Sequence, residues 1–299
     1  MRRLFPVTDE TAAPGGRPGT SGGGRGGPGS GGGEDGNGRE WSLAELAAAY
    51  AYPEAEAEAE AGAGAKAGAK AGSGPGEGRE PWLRANMVST LDGAAQHEGR
   101  SQPISCPADM RIFGTLRALA DVVLVGAETV RQEGYRPARA RAGFAAAREA
   151  AGQGPAAAIA VVSASLDLDF SLPLFTSPLV PTLILTGSAA PPARVAAAEA
   201  AGARVVTAGE GAGVDPGRAV RALAERGYTR LLTEGGPRLL GQLVAAGVLD
   251  ELCLTVAPML TAGDAQRIAG GPSVTLPRRF TLKSMLEEDG FLFTRYTRS

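Results

Sequence analysis

The segment Leu231-Leu232-Thr233-Glu234-Gly235-Gly236-Pro237-Arg238-Leu239-Leu240 constrains the fold more than any other stretch of the chain. Branched apolar residues end a strand, an acid follows, paired glycines make the turn, and Pro237 opens a helix. A strand that passes so directly into a helix points to α/β architecture. Paired glycines let a ligand reach the backbone without meeting a side chain. Proline suits the first helical turn, where its missing N–H would be unpaired anyway. The free N–H groups at such a helix start suit a phosphate or pyrophosphate. A tight turn with no ligand explains the same residues equally well, so a second segment has to decide.

That segment is Val125-Gly126-Ala127-Glu128-Thr129-Val130-Arg131-Gln132-Glu133-Gly134-Tyr135-Arg136-Pro137. It follows Asp121 to Gly126, an almost wholly apolar run of the kind buried on both faces of a parallel sheet. Its first residues therefore sit at the carboxyl ends of the strands, where open α/β sheets bind ligands. Thr129 offers a hydroxyl, and Glu133 offers a carboxylate one helical turn later on the same face. Arg131, Arg136, Arg139 and Arg141 crowd the loop beyond. Arginine forks suit phosphate oxygens, although an exposed loop also carries arginines simply for solvation. Arg117, four residues after Phe113, has three options: to snorkel, to pair with Asp121, or to face an anion in the cleft.

The remaining periodicity predicts a strand from Trp82 to Leu91 and a helix from Pro107 to Ala120 with Met110, Phe113, Leu116 and Ala120 inward. Further strands are expected at 156–163, 182–186, 204–207, 228–233 and 251–257, and helices at 192–201, 216–226 and 237–246. Two final runs, 279–286 and 291–296, flank Asp289-Gly290, a strong hairpin signal. The fold class is α/β, a mostly parallel sheet flanked by helices with an antiparallel C-terminal hairpin.

Composition sets the boundaries. Nearly half of the 44 glycines fall in residues 1–40 and 54–80. These stretches lack the apolar residues that offset ordering entropy, so 1–40 reads as a disordered tail and 54–80 as a low-complexity linker. Between them, at 41–53, Ser42 and Glu45 form a capping box ahead of Leu43, Leu46, Ala47 and Tyr50 on one face. A short docking helix is expected there. About 220 residues remain from Pro81, enough for one domain, and removal of 1–40 is expected to leave activity intact.

A net charge of −2 gives no basic field for nucleic acid. Cys106 and Cys253 stand far apart without metal-ligand spacing and read as reduced, buried thiols of a cytoplasmic protein. No leader or membrane-spanning run is evident. The G-x-G-x-x-G at Gly22, Gly24 and Gly27 has no strand before it and no helix after it, so it is rejected. His97, the only histidine, lies in a polar loop and reads as solvated.

Together these residues resemble the C-terminal reductase domain of bifunctional riboflavin-biosynthesis proteins, a family with the dihydrofolate-reductase-like fold. The similarity spans about residues 82 to 297. It rests on Met87-Val88-Ser89-Thr90-Leu91-Asp92-Gly93, on Leu116-Arg117-Ala118 with Asp121-Val122, on Val125-Gly126 through Thr129-Val130, and on Glu234-Gly235-Gly236. The chain is similar to stand-alone pyrimidine reductases of that family.

The resemblance implies NADPH-dependent reduction of 5-amino-6-(5-phosphoribosylamino)uracil to its ribitylamino product. It implies coenzyme contacts from Val88, Thr129, Glu133, Ser163, Ala164, Ser165 and Leu166. Gly235, Gly236, Pro237 and Arg238 would then cradle the pyrophosphate, with Glu133 nearest the chemistry. Ser101, Arg117, Arg139 and Glu234 fall on the substrate side, Arg117 toward the sugar phosphate and Glu234 toward the pyrimidine amides. No metal is implied; a homodimer is, and the apolar run Leu252 to Val256 suits either a dimer seam or an ordinary core strand.

Three positions depart from the family pattern. Glu133 stands where Asp is usual, Pro103 where an aromatic commonly follows Ser101, and Ala140 where an arginine is expected. Two other readings compete: a same-fold reductase of another heterocycle or imine, and a non-catalytic nucleotide-binding paralogue.

Overall fold

The computed structural model describes residues 1–6, 40–53 and 80–299. Most of 1–40 and 54–80 therefore lies outside the described residues. In chain order the elements are β1 (Arg2–Phe5), α1 (Leu43–Ala49), β2 (Trp82–Thr90), α2 (Pro107–Leu119), β3 (Val122–Gly126), α3 (Ala127–Gln132), α4 (Ala145–Ala150), β4 (Ala158–Val162), α5 (Pro173–Thr176), β5 (Leu183–Thr186) and α6 (Pro192–Ala200). There follow β6 (Arg204–Thr207), α7 (Pro216–Ala224), β7 (Arg230–Thr233), α8 (Pro237–Ala245), β8 (Glu251–Ala257), β9 (Phe280–Glu288) and β10 (Phe291–Arg298).

These strands form one sheet in the order β1-β9-β10-β8-β2-β7-β3-β4-β5-β6. From β8 to β6 every neighbouring pair is parallel. The β8–β10, β10–β9 and β9–β1 pairs are antiparallel. The β3 run VVLVG is buried because helices cover both faces. One apolar cluster joins Leu46 and Tyr50 of the α1 region to Ile112 and Leu116 of α2 and Ala198 of α6. The other, across the sheet, gathers Val220 and Leu223 of α7 with Leu239 and Leu243 of α8. Asp289 (φ +53°) and Gly290 (φ +81°) close the β9–β10 hairpin in the left-handed region, as their sequence signals.

Several expectations need correction. Residues 2–5 are a sheet-edge strand rather than part of a disordered tail: Arg2, Arg3 and Phe5 pair with Glu287, Leu286 and Met285. β1 covers the outer edge of β9, which would otherwise present unpaired backbone groups. Removing residues 1–6 should therefore lower the melting temperature and promote self-association, as light scattering during a thermal ramp would show. Met110 points outward, with 52% of its surface exposed. The buried face of α2 instead carries Ala108, Asp109, Ile112, Thr115 and Leu116. Cys106 is only half-buried and accepts a bond from the Asp109 N–H at the start of α2. The run Leu252 to Val256 lies in β8, between β10 and β2, so its edges are taken and cannot pair across a dimer.

The expected capping box is present. Ser42 Oγ accepts from the Glu45 N–H, and the Glu45 carboxylate accepts from the Ser42 N–H. The chain after α1 is pinned to the sheet by buried arginines: Arg84 donates to the carbonyls of Tyr50 and Ala51, and Arg295 donates to those of Ala49 and Ala51. Both arginines also grip the fully buried Glu251, with the Arg84 Nε at 2.8 Å and the Arg295 Nε at 2.7 Å.

Candidate active site

A cleft of about 660 Å³ opens at the carboxyl ends of β2, β7 and β3. That volume suits a small molecule or part of a coenzyme. Its floor is Asn86, Met87 and Val88 of β2. One wall is the start of α2 with Ser105, Asp109, Met110, Phe113 and Arg117, and the other is α3 and the β7–α8 turn. Met110, Phe113 and Arg117 recur at helical spacing because this face of α2 lines the cleft rather than the core.

The turn after β7 has the geometry its sequence promised. Gly235 adopts φ +77°, a conformation that disfavours any residue with a Cβ, and the Gly235–Gly236 peptide is cis. The Gly126 N–H donates to the Gly235 carbonyl at 2.8 Å, tying the β3–α3 turn to this one. A Cβ on Gly236 would sit 2.6 Å from the Thr129 hydroxyl oxygen. Gly236 caps α8 without a side-chain partner, so the helix start faces the cleft with backbone alone. Free N–H groups at a helix start of this kind favour an anion.

Beside the turn lies a polar knot. Arg117 donates from Nε and Nη2 to the two oxygens of Glu234, both at 2.6 Å, a bidentate pair. The Arg117 guanidinium is sandwiched between the Phe113 ring at 4.4 Å and the Tyr135 ring at 4.9 Å. The Tyr135 hydroxyl donates to Glu234 as well. Burial works against the Arg117 charge, but the Glu234 carboxylate more than offsets this and holds its pKa above the ordinary value. Burial, reinforced by Glu234, pushes the Tyr135 phenol up, so it stays a donor. Arg117 thus fixes the Glu234 carboxylate while lining both the cleft and the chamber beside it, and Asp121 is occupied elsewhere, with Gln153 and the N–H groups of Thr229 and Arg230.

Across the cleft, Ser101 and Glu133 meet: both the N–H and the hydroxyl of Ser101 donate to Glu133 Oε1 at 3.1 Å. The expected residues Val88, Ser101, Arg117, Thr129, Glu133, Glu234, Gly236 and Pro237 all line this cleft. Ser163 follows β4, and its hydroxyl accepts from the Leu166 N–H outside that lining. Ala164 and Ser165 are exposed. Leu166 is packed in the core, its carbonyl taken by Arg194. Arg238 is exposed on α8, one turn-residue beyond the cleft rim.

Arg139 belongs to a smaller cavity of about 190 Å³ that shares Met110, Phe113, Arg117 and Arg136 with the main cleft. Its lining also includes Arg141 and Arg148 and no carboxylate. Arg148 is buried. Its Nε and Nη1 donate to the carbonyls of Gly154, Ala118 and Ala120, while its Nη2 has no partner among the described residues. Gly114 makes room for the chamber, since a Cβ there would overlap the Arg141 guanidinium.

Sequence reasoning missed Arg148, Tyr135 and Asp109. Asp109 is 6% exposed; its Oδ2 lies 2.5 Å from Ser105 Oγ and its Oδ1 2.7 Å from Thr255 Oγ1. Burial raises its pKa above the ordinary aspartate range, although both hydroxyls lower it. Assigning the Met110 face to the core left no cleft for Asp109 to line. No His/Cys/Asp/Glu group among the described residues could hold a metal ion. No helix among them is long and apolar enough to cross a membrane.

Comparison with known proteins fits this geometry. A curated relative from Methanothermobacter thermautotrophicus is 30% identical over 195 residues, covering 65% of this chain and 86% of its own length. One from Archaeoglobus fulgidus is 28% identical over 195 residues, covering 64% and 88%. Both are named 2,5-diamino-6-ribosylamino-4(3H)-pyrimidinone 5′-phosphate reductase. The crystal structure of a pyrimidine reductase-like protein from Corynebacterium diphtheriae superposes with a TM-score of 0.68 at 28% identity, covering 73% of this chain and 92% of that one. Acinetobacter baumannii RibD shares the fold at 18% identity, with a TM-score of 0.59 and 74% and 58% coverage. Residues 81–289 match the RibD C-terminal domain, and the chain belongs to that family.

Proposed function

We propose that this chain is an NADPH-dependent reductase of a 6-ribosylaminopyrimidine 5′-phosphate in riboflavin biosynthesis. The single observation that carries the reading is the Arg117–Glu234–Tyr135 knot, joined covalently to the Gly235–Gly236 turn. It sets a fixed carboxylate, suited to the amide-type N–H edge of a pyrimidine, next to a bare helix start suited to a diphosphate.

The coenzyme supplies a hydride when bound, and the protein supplies position. Gly235, Gly236 and Pro237 would hold the pyrophosphate, and Thr129 and Glu133 the nicotinamide half, with Val88 in the cleft floor. Ser101 and Glu133 close the opposite wall, and the fixed orientation favours reaction by proximity. The sugar phosphate enters the arginine-lined chamber, where the exposed Arg139 and Arg141 receive it. Arg117, at the border of cleft and chamber, would face the phosphate from the other side while holding Glu234. The half-buried face of β8 at Leu254 and Val256 supports a homodimer formed face to face rather than edge to edge.

The uracil substrate is the one implied by the sequence resemblance; the diaminopyrimidinone is the one in the relatives' names. Purified protein, NADPH and each of these two phosphates should give NADPH oxidation, followed at 340 nm, with at least one of them. Dephosphorylated substrate should show a KM raised by about tenfold or more, since charge-assisted bonds to phosphate contribute roughly 1.5–3 kcal/mol. No oxidation with either phosphate would refute the assignment.

A further inference from the structure

We propose that Asp109 and Ser105 form the proton-delivery pair of this site, with Asp109 as the acid and the Ser105 hydroxyl as the group that passes its proton into the cleft. The inference rests on the reductase reading above. Both residues line the cleft. Their oxygens are 2.5 Å apart, close enough for direct transfer. Thr255 Oγ1 holds the other carboxyl oxygen at 2.7 Å and so fixes the rotamer.

Burial raises the Asp109 pKa above its ordinary value, against the lowering effect of the two hydroxyls. Ser105 and Cys106 face it from the preceding loop, Thr255 from β8, and Tyr50 from the end of α1. Burial raises both the Cys106 thiol and the Tyr50 phenol, so neither brings a charge. Farther out, Glu288 on the Cys106 side is paired with Arg111, and Arg84 and Arg295 on the Tyr50 side are paired with Glu251. Asp109 itself has no ion-pair partner among the described residues. The other carboxylates of the cleft are committed differently: Glu234 to Arg117 and Glu133 to Ser101. A buried acid without a cation, aimed at a hydroxyl in a ligand-sized cleft, is an arrangement a structural aspartate does not need.

The chemistry requires such a group. Opening the ribose ring of a ribosylaminopyrimidine gives a C1′=N imine, a tautomerisation with no net gain of protons. Reduction then forms a C1′–H bond with a hydride whose two electrons come from the dihydronicotinamide, which is oxidised. The C=N π pair moves to nitrogen, and the nitrogen takes a proton from Ser105 Oγ as Ser105 takes the Asp109 proton. Asp109 is left ionised and regains a proton from water. Since the acid form is the active one, turnover should fall as pH rises through the Asp109 pKa.

Asp109→Asn preserves shape and can keep both hydroxyl contacts. It should lower kcat about 100-fold or more and abolish the alkaline fall in kcat, with KM for NADPH little changed. Ser105→Ala should lower kcat at least tenfold while leaving the Asp109 titration in place. An independent readout needs no turnover: in the free wild-type protein, the ¹³Cγ signal absent from Asp109→Asn should titrate above the ordinary aspartate value of about 3.9. A variant within threefold of wild type, an unchanged pH profile, or an Asp109 signal already ionised in the ordinary range would overturn the proposal while the reductase reading stands. A wild-type protein that oxidises no NADPH with either pyrimidine phosphate would remove both.

Discussion

Replacing Glu251 with alanine should unfold a large fraction of this protein at temperatures where the wild type is stable. Glu251 is fully buried and holds Arg84 through Nε at 2.8 Å and Nη2 at 3.0 Å, Arg295 through Nε at 2.7 Å, and the Trp82 indole N–H at 2.9 Å. Its loss removes the carboxylate that two buried guanidinium groups share. Breaking a buried ion pair from one side costs about 3–5 kcal/mol. For a domain of this size that corresponds to roughly 10 °C in melting temperature, readable by calorimetry.

The same node sets a pH dependence. Burial favours the neutral acid, but Arg84 and Arg295 win, so the folded-state pKa of Glu251 lies below its ordinary value. Its contribution is then fully present above the unfolded-state pKa and lost as pH falls through the lowered folded one. Wild-type melting temperature should therefore fall on acidification more steeply than that of Glu251→Gln. Parallel acid limbs in the two proteins would argue against the node.

The second large effect concerns coenzyme binding. Gly235→Val should raise the Kd for NADPH by roughly 10- to 100-fold, the value of one or two lost charge-assisted bonds. Gly235 has φ +77°, and an added Cβ would lie 3.2 Å from the Met87 sulfur. The turn must shift, and with it the N–H groups at the start of α8. Fluorescence titration with NADPH checks this directly. An unchanged Kd in a folded variant would mean that the diphosphate binds elsewhere.

The sequence displays this fold unevenly, for physical reasons. Strands such as β3 and the Gly-Gly turn are legible because local chemistry alone specifies them: an apolar run, a positive-φ glycine, an N1 proline. The position of β8 between β2 and β10 is not legible, because strand order is a matter of long-range pairing. β1 is hidden because four residues, two of them arginine, have no strand periodicity of their own and gain order only against β9. Within the site, Thr129, Gly236 and Glu133 could be named from their segments, and Ser101 only through the family resemblance. Asp109 could not, since an acid in the first turn of a helix is ordinary there. Its meaning depends on which face of α2 the sheet covers. Arg148 is similar: an arginine in an alanine-rich helix becomes notable only when three carbonyls claim part of its fork and leave Nη2 free.

The hydrogen bond from Gly126 to the Gly235 carbonyl joins two turns, and Glu234 is the residue directly before the second of them. In the proposed reading, a diphosphate at these turns would rest one residue away from the carboxylate that faces the heterocycle. Two ligands held on one stretch of backbone would then be coupled. By thermodynamic reciprocity, any gain one gives to the other's affinity is returned by the same factor. Positive coupling of this kind would disfavour half-filled states, in which a reduced coenzyme waits beside open water with nothing to reduce.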